Sequence, residues 1–207
     1  DPLRLGNRPG ALFRIDRETR EVTLVAASIY FSDPRSMIFD VDGKILIWDQ
    51  RANPRQLPGL PGALFRVDPL SGNVEVIFSF NGVFTSPGGV ALDANGDYLI
   101  LDRDANPEGL PSVAPGAIFR VMRSGLTVEP VFSDPLFVEP YDFVLDPSGD
   151  IWVLDRRAYE GDVSHAGALF RCNLSTGEIT RTGGATASMV RICTVDVCVR
   201  NRRPSGR

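Results

Sequence analysis

The residues best suited to chemistry are three aspartates, each of which ends a short apolar run. Asp49, Asp102 and Asp155 each stand just before a long loop. Carboxylates brought near one axis could bind a hard cation such as calcium, which prefers six or more oxygen ligands, so all three are candidate ligand-binding residues. The structural alternative is that each carboxylate accepts hydrogen bonds from a loop or pairs with an arginine. The arginines that recur with the same period are Arg14, Arg66, Arg120 and Arg171.

A histidine and a tyrosine in the last long loop are further candidates. His165 is the only histidine of the chain, and histidine is the side chain whose ordinary pKa lies nearest neutrality. It is therefore a candidate catalytic acid or base. The alternative is a solvated loop histidine without a catalytic role. Tyr159 lies in the same loop and is a candidate ligand contact.

Other kinds of chemistry lack their signatures. The sequence contains no Gly-x-Ser-x-Gly, phosphate-loop, Cys-x-x-Cys or His-Glu-x-x-His motif, so nucleophilic catalysis and zinc chemistry have no support. The formal net charge of -4 provides no basic field for a nucleic acid. No apolar run approaches the ~20 residues of a membrane-spanning helix, so we expect no membrane insertion. The three cysteines do not decide the redox compartment.

An internal repeat carries these candidates. The segment Gly-Ala-Leu-Phe-Arg starts at Gly10, Gly62 and Gly167, and Gly-Ala-Ile-Phe-Arg starts at Gly116, at spacings of 51 to 54 residues. Between these copies, a second motif places an aspartate three residues before a glycine and another aspartate six residues after it. The glycines of this second motif are Gly43, Gly96 and Gly149. Two motifs that keep one register at one period predict a repeat protein.

Each repeat resolves into four short strand candidates. Within Asp-x-x-Gly the aspartate side chain starts a turn and the glycine takes the positive φ that closes a hairpin. Four antiparallel strands that recur every ~50 residues are typical of a β-propeller blade. We therefore predict an all-β fold, one propeller domain over residues 1–207 with four visible blades of four antiparallel strands. The repeat units lie near residues 10–61, 62–115, 116–166 and 167–201.

The ends of the chain leave several arrangements open. Residues 188–201 align with a first-and-second strand pair and could complete the blade begun by residues 10–25, which would close the ring through both termini. They lack the Asp-x-x-Gly turn, so residues 183–207 could instead be a tail. The chain could also be a fragment of a six-bladed ring, in which case its open strand edges favour self-association.

One stretch carries a family resemblance. Residues 87–102, Pro-Gly-Gly-Val-Ala-Leu-Asp-Ala-Asn-Gly-Asp-Tyr-Leu-Ile-Leu-Asp, resemble the opening of an NHL-type repeat. The same pattern occurs in six-bladed propellers that include the gluconolactonase-like and streptogramin-lyase-like enzymes. The resemblance extends over residues 10–182 and is specific for the fold, because the pattern encodes turns and packing. It favours a secreted or periplasmic protein.

The resemblance also implies where a metal would bind. The related lactonases hold a metal at the channel mouth through Glu, Asn and Asp side chains. Asp142 stands where other copies have Ser36 and Gly89, and Glu139 lies three residues before it. These two carboxylates are therefore candidate ligands of a calcium ion, although neither Ser36 nor Gly89 supplies the matching asparagine.

The long loops decide the predicted function. Residues 50–61, 103–115 and 156–166 are longer than a hairpin requires, and long loops on a rigid scaffold tend to carry function. We predict a scaffold that binds a protein or a small ligand through this loop face. The alternative is a metal-dependent lactonase or other hydrolase, or a lyase, that acts at the channel mouth; for the lyase, His165 would supply the acid or base.

Overall fold

The computed structural model describes residues 10–56, 62–79, 83–107, 109, 116–158 and 167–184. Within these ranges the chain forms fourteen short β-strands and no helix. Every sheet is built from strands that are consecutive in sequence and pair antiparallel with their neighbours. These sheets confirm the predicted all-β fold.

Three four-stranded sheets form blades, and a two-stranded sheet precedes them. The two-stranded sheet contains β1 (Gly10–Ile15) and β2 (Val22–Ser28). Blade I contains β3 (Pro34–Phe39), β4 (Ile45–Asp49), β5 (Ala63–Val67) and β6 (Val74–Ser79). Blade II contains β7 (Pro87–Leu92), β8 (Tyr98–Asp102), β9 (Ala117–Val121) and β10 (Val128–Ser133). Blade III contains β11 (Pro140–Leu145), β12 (Ile151–Asp155), β13 (Ala168–Cys172) and β14 (Ile179–Gly184).

The Gly-Ala-x-Phe-Arg motif lies in the middle of each four-stranded sheet and not at its start. In each complete blade this motif forms the third strand, as in β5, β9 and β13. The copy that begins at Gly10 forms β1, so β1 and β2 correspond to the third and fourth strands of a blade. The predicted completion of that blade by residues 188–201 lies outside the described residues.

The turn between the first two strands of blade II shows why the motif needs its aspartate and its glycine. The Oδ1 atom of Asp93 accepts hydrogen bonds from the backbone N–H groups of Asn95 at 2.8 Å and Asp97 at 3.0 Å. The backbone N–H of Gly96 donates to the Asp93 carbonyl at 2.9 Å. Gly96 has a φ of +80°, a conformation in which a side chain costs backbone strain.

The core lies between neighbouring blades. All five residues of β8 are buried, and because side chains alternate between the two faces of a strand, both of its faces are covered. Leu46 and Trp48 of blade I pack in one cluster with Tyr98 of blade II. The indole Nε1 of Trp48 also donates a 3.1 Å hydrogen bond to the carbonyl of Pro87. Burial on both faces explains why these second strands are apolar at nearly every position.

Candidate functional site

The first strands of the three blades surround a cavity of about 150 Å³, which we call the axial cavity. Their starting residues meet the first residues of the loops that follow β4 and β8, so the cavity opens on the long-loop face. Its lining is mostly polar and comes from all three blades. The lining residues are Arg35, Ser36, Gln50, Pro87, Gly88, Arg103, Tyr141 and Asp142.

A β-bulge at the start of each first strand places residues at this cavity. The pairing register shifts between Pro34 and Ser36 in blade I, and at the equivalent point in the other two blades. The extra residues at these shifts are Arg35, Gly88 and Tyr141, and all three line the cavity. A bulge reorients the side chain at the inserted position. The three inserted positions here supply a cation from Arg35, open space at Gly88 and the aromatic ring of Tyr141.

Arg103 is held at the cavity by two neighbours. Its Nη2 donates a 2.9 Å hydrogen bond to the Ser86 hydroxyl, and its guanidinium lies 5.8 Å from the ring centroid of Tyr141. On Tyr141 a second guanidinium, that of Arg156, lies 4.9 Å from the centroid. Arg35 adds a further cation, whose Nη2 lies 2.8 Å from the Asp33 carboxylate. The guanidinium groups of Arg35 and Arg103 therefore offer N–H donors to an anionic group in the cavity.

Asp142 contributes the one carboxylate of the cavity lining. Burial raises the pKa of Asp142, while a 2.9 Å hydrogen bond from the backbone N–H of Phe143 acts in the opposite direction. Gly89 makes room for this arrangement, because a Cβ on Gly89 would lie 3.2 Å from the Phe143 ring and 3.5 Å from Asp142 Oδ1. Asp142 can thus accept a hydrogen bond when ionised and donate one when protonated.

Glu139, the second predicted metal ligand, pairs with two arginines. Its carboxylate pairs with Nη1 of Arg156 at 3.0 Å and with Nε of Arg157 at 2.9 Å. No group of three or more His, Cys, Asp or Glu side chains with the arrangement of a metal site occurs among the described residues. Calcium prefers six or more oxygen ligands, so the described residues do not by themselves provide a calcium site, and the assignment of Asp142 and Glu139 as its ligands stays a prediction.

Asp49 performs the structural role that the sequence analysis gave as an alternative. Its side chain is fully buried, and its oxygens accept backbone N–H groups from the loop before β3 and from the loop after β4. The shortest of these bonds are 2.7 Å from Ser32 and 2.9 Å from Ala52. Burial raises the pKa of Asp49, although these donors favour its charged form. The carboxylate thereby joins two loops of one blade.

Asp102 and Asp155 repeat this arrangement in the other two blades. Asp102 accepts the N–H of Ser86 at 2.8 Å, and Asp155 accepts the N–H groups of Val138 at 2.7 Å and Glu139 at 3.1 Å. Both aspartates are fully buried. Their oxygens are occupied by backbone donors, so a direct ligand-binding role for the three aspartates stays a prediction.

The periodic arginines pair at the other end of the blades. Arg66, Arg120 and Arg171, the three that lie in four-stranded blades, each reach a carboxylate of a turn between the first and second strands, rather than the aspartate that ends the second strand. The pairs are Arg66 with Asp40 and Asp42, Arg120 with Asp93, and Arg171 with Asp150.

Two candidates fall outside the described residues, and four residues of the cavity were missed. His165 and Tyr159 lie in the undescribed range 159–166, so their roles stay predictions. The sequence analysis singled out Asp142 but missed Arg35, Gln50, Arg103 and Tyr141. A signal for them exists: each follows a repeated proline or aspartate at a position where the copies differ.

Comparison of the structure with solved structures confirms the fold class. It is similar to a chain of a nidogen/laminin complex (TM-score 0.57, 17% identity, 83% of this chain and 57% of that chain). It is similar to the calcium-binding protein regucalcin of Agrobacterium tumefaciens (TM-score 0.53, 21% identity, 83% and 53%) and to the periplasmic gluconolactonase of Pseudomonas aeruginosa (TM-score 0.53, 12% identity, 89% and 66%).

These likenesses define the class: the chain is an all-β propeller whose neighbours include regucalcin-like and gluconolactonase-like propellers. It spans between about half and two thirds of the length of those three chains. No protein-family model matches the sequence, and no curated protein matches it. In the described part of the chain, no helix is long and apolar enough to cross a membrane.

Proposed function

We propose that the chain is a binding scaffold whose axial cavity takes the carboxylate of a small hydroxylated molecule. The observation that carries this proposal is the position of Arg103, a guanidinium fixed by Ser86 and Tyr141 at the wall of a polar cavity. Arginine suits a carboxylate because its planar N–H groups match the two oxygens.

The other lining residues suit a ligand that also carries hydroxyl groups. Gln50 and Asp142 offer both donors and acceptors within the same cavity, and Arg35 adds positive charge. The volume of about 150 Å³ is below the 300–1,000 Å³ that is usual for whole drug-sized ligands. The cavity therefore suits one end of a ligand.

We assign the predicted loop-face function to this axial cavity. Gln50 and Arg103 are the first residues of two long loops, so a bound molecule would contact both the blades and the loops. A protein partner could present the same chemistry through an acidic side chain, and one similar structure is that of a nidogen/laminin complex. A secreted or periplasmic location accords with the Pseudomonas neighbour, which is described as periplasmic.

A second candidate function is hydrolysis or elimination at the channel mouth. Asp142 favours it, because burial in the cavity raises the pKa of this carboxyl and extends the pH range in which it holds a proton. One neighbour is a gluconolactonase. A calcium-dependent version would need ligands besides Asp142, since Glu139 is paired with two arginines. Turnover of gluconolactone that is lost in Asp142→Asn would establish this second candidate.

Calorimetric titration with two matched polyols tests the binding proposal. D-gluconate carries a carboxylate where D-glucitol carries a hydroxymethyl group, so gluconate should bind and glucitol should bind at least about tenfold more weakly. Arg103→Gln should remove this preference. Arg17→Gln, which removes an exposed arginine from the turn between β1 and β2, should retain it. Equal binding of the two polyols, or an unchanged preference in Arg103→Gln, would contradict the proposal.

A further inference from the structure

One arginine bridges blades I and II at the end of the blades where the Asp-x-x-Gly turns lie. Arg123, in the turn after β9, reaches across to the buried carboxylate of Asp40 in blade I and forms an ion pair with it. Its Nε donates a 3.0 Å hydrogen bond to the carbonyl of Gly96, and its own backbone N–H donates to Asp97 Oδ1 at 2.8 Å. The guanidinium also lies 5.0 Å from the ring centroid of Tyr98.

The interface between blades II and III has the same repeat positions but lacks the arginine. Leu174 occupies the position of Arg123, because each lies six residues after the alanine that begins the third strand. Three of the four partners of Arg123 keep their chemistry at the equivalent positions, whereas Ile151 replaces Tyr98. Asp93 replaces Asp40, Gly149 replaces Gly96, and Asp150 replaces Asp97.

A cavity of about 380 Å³ lies at this second interface. Its lining includes Asp93, Gly149, Asp150 and Leu174, which are the equivalents of the three partners and of the arginine itself. The cavity thus lies at the position that corresponds, in the other interface, to the position of the Arg123 side chain. It is separate from the axial cavity, because the Asp-x-x-Gly turns and Arg103 lie at opposite ends of β8.

Both carboxylates of the cavity lining pair with an arginine of the same lining. Asp93 and Glu129 both pair with Arg120, at 2.9 Å and 3.0 Å, and Asp150 pairs with Arg171. Glu129 lies outside the cavity lining, so the lining itself contains two carboxylates and two guanidinium groups. In blade I, Asp40 pairs with both Arg66 and Arg123, so a carboxylate at this repeat position can bind a second guanidinium beside the first.

We propose that this interblade cavity binds a guanidinium group supplied by another molecule. The ligand places its guanidinium beside Asp93 and the Gly149 carbonyl, as Arg123 is placed beside Asp40 and the Gly96 carbonyl. The source of the group is either the arginine side chain of a protein or a free guanidinium metabolite.

Binding of blocked arginine tests this assignment. N-acetyl-arginine amide should bind in an NMR titration and shift the amides of Asp93 and Gly149, and N-acetyl-citrulline amide, its uncharged counterpart, should bind at least about tenfold more weakly. Agmatine and a nine-residue Gly-Ser peptide with one central arginine distinguish the two sources. Tighter binding of agmatine indicates a metabolite, and tighter binding of the peptide indicates a protein.

Two variants of Leu174 make the test specific to this cavity. Leu174→Arg supplies the missing guanidinium and should abolish binding, whereas Leu174→Met keeps an apolar side chain and should bind like the wild type. Leu70→Arg adds the same charge on a fully exposed leucine of blade I and should not interfere. No binding of the arginine amide to the wild-type protein, equal binding of the citrulline amide, or unchanged binding by folded Leu174→Arg would overturn the assignment.

Discussion

The carboxylate of Asp102 accepts a 2.8 Å hydrogen bond from the backbone N–H of Ser86. Ser86 in turn accepts a 2.9 Å hydrogen bond from the guanidinium of Arg103 through its hydroxyl. A residue that recurs in every blade for structural reasons therefore also positions the side chain on which the proposed ligand site depends. Asp102 is a positioning residue in this account and does not itself line the cavity.

Replacement of Asp102 by alanine should weaken both the fold and the ligand site. The change leaves the buried N–H of Ser86 without its acceptor, so the free energy of unfolding should fall by about 1–3 kcal/mol. Urea denaturation measures this loss. Asp104→Ala, which removes an exposed carboxylate two residues away, should unfold like the wild type. If both variants unfold at the same urea concentration, the Asp102 carboxylate does not join the loops as described.

The glycine turns give a second stability prediction. Gly96→Val should lower the free energy of unfolding by at least about 1 kcal/mol, because Gly96 has a φ of +80°. The nearest atom to a new Cβ there is 3.7 Å away, so the cost comes from the backbone and not from a clash. Gly125→Val is the control, since Gly125 has no positive φ and its only close contact is with Thr127 at 3.7 Å. Equal losses in the two variants would show that the turn conformation is not responsible.

Ionisation of Asp142 should lower the free energy of unfolding as the pH rises. Burial raises the pKa of Asp142 in the folded protein above the ordinary value of about 3.9 in the unfolded chain, so the native state binds more protons between these two values. Asp142→Asn removes that penalty. The variant should therefore melt at a higher temperature than the wild type at pH 7, and the advantage should disappear near pH 3.

Asp146 provides a control of opposite sign for that experiment. Hydrogen bonds from the Ser148 hydroxyl and the Trp152 indole lower the pKa of Asp146 to about 2. Asp146→Asn should therefore destabilise the protein at pH 7, and the loss should diminish as the pH falls from about 4 towards 2. Melting curves with the same pH trend for both variants would contradict the assigned environments of the two carboxyl groups.

Cys172 should resist alkylation in the folded protein. Its thiol is buried in blade III, and burial raises its pKa to about 12, so almost no thiolate exists at neutral pH. Peptide mapping after brief treatment with iodoacetamide should find Cys172 unmodified in buffer and modified in denaturant. Rapid modification in buffer would show that the centre of blade III is open to solvent.

Much of the fold could be predicted from the sequence because the repeat uses short-range chemistry. The Asp-x-x-Gly turn at Asp93 and Gly96 depends on residues a few positions apart, so its pattern is visible in one dimension. The apolar run before Asp102 likewise predicts a strand that is buried on both faces. Both signals occur three times in one register, and this repetition identifies a blade.

The axial cavity is harder to predict from the sequence because it forms between blades. Arg35, Gly88 and Tyr141 are brought together by three bulges that belong to three different sheets. A bulge depends on pairing across strands and has no fixed residue type, so the sequence gives little indication of it. Asp142 stands out in the sequence because it departs from the repeat, whereas Arg103 lies in a long loop and carries no such signal.

The most direct test of the central claim is an NMR map of the amides that shift when D-gluconate is added. We expect the largest shifts at Gly88, Arg103 and Asp142, around the axial cavity, and we expect Arg103→Gln to suppress them. Shifts confined to the turns at Asp93 and Gly149 on the opposite side of the blades, or an unchanged spectrum at saturating gluconate, would contradict it.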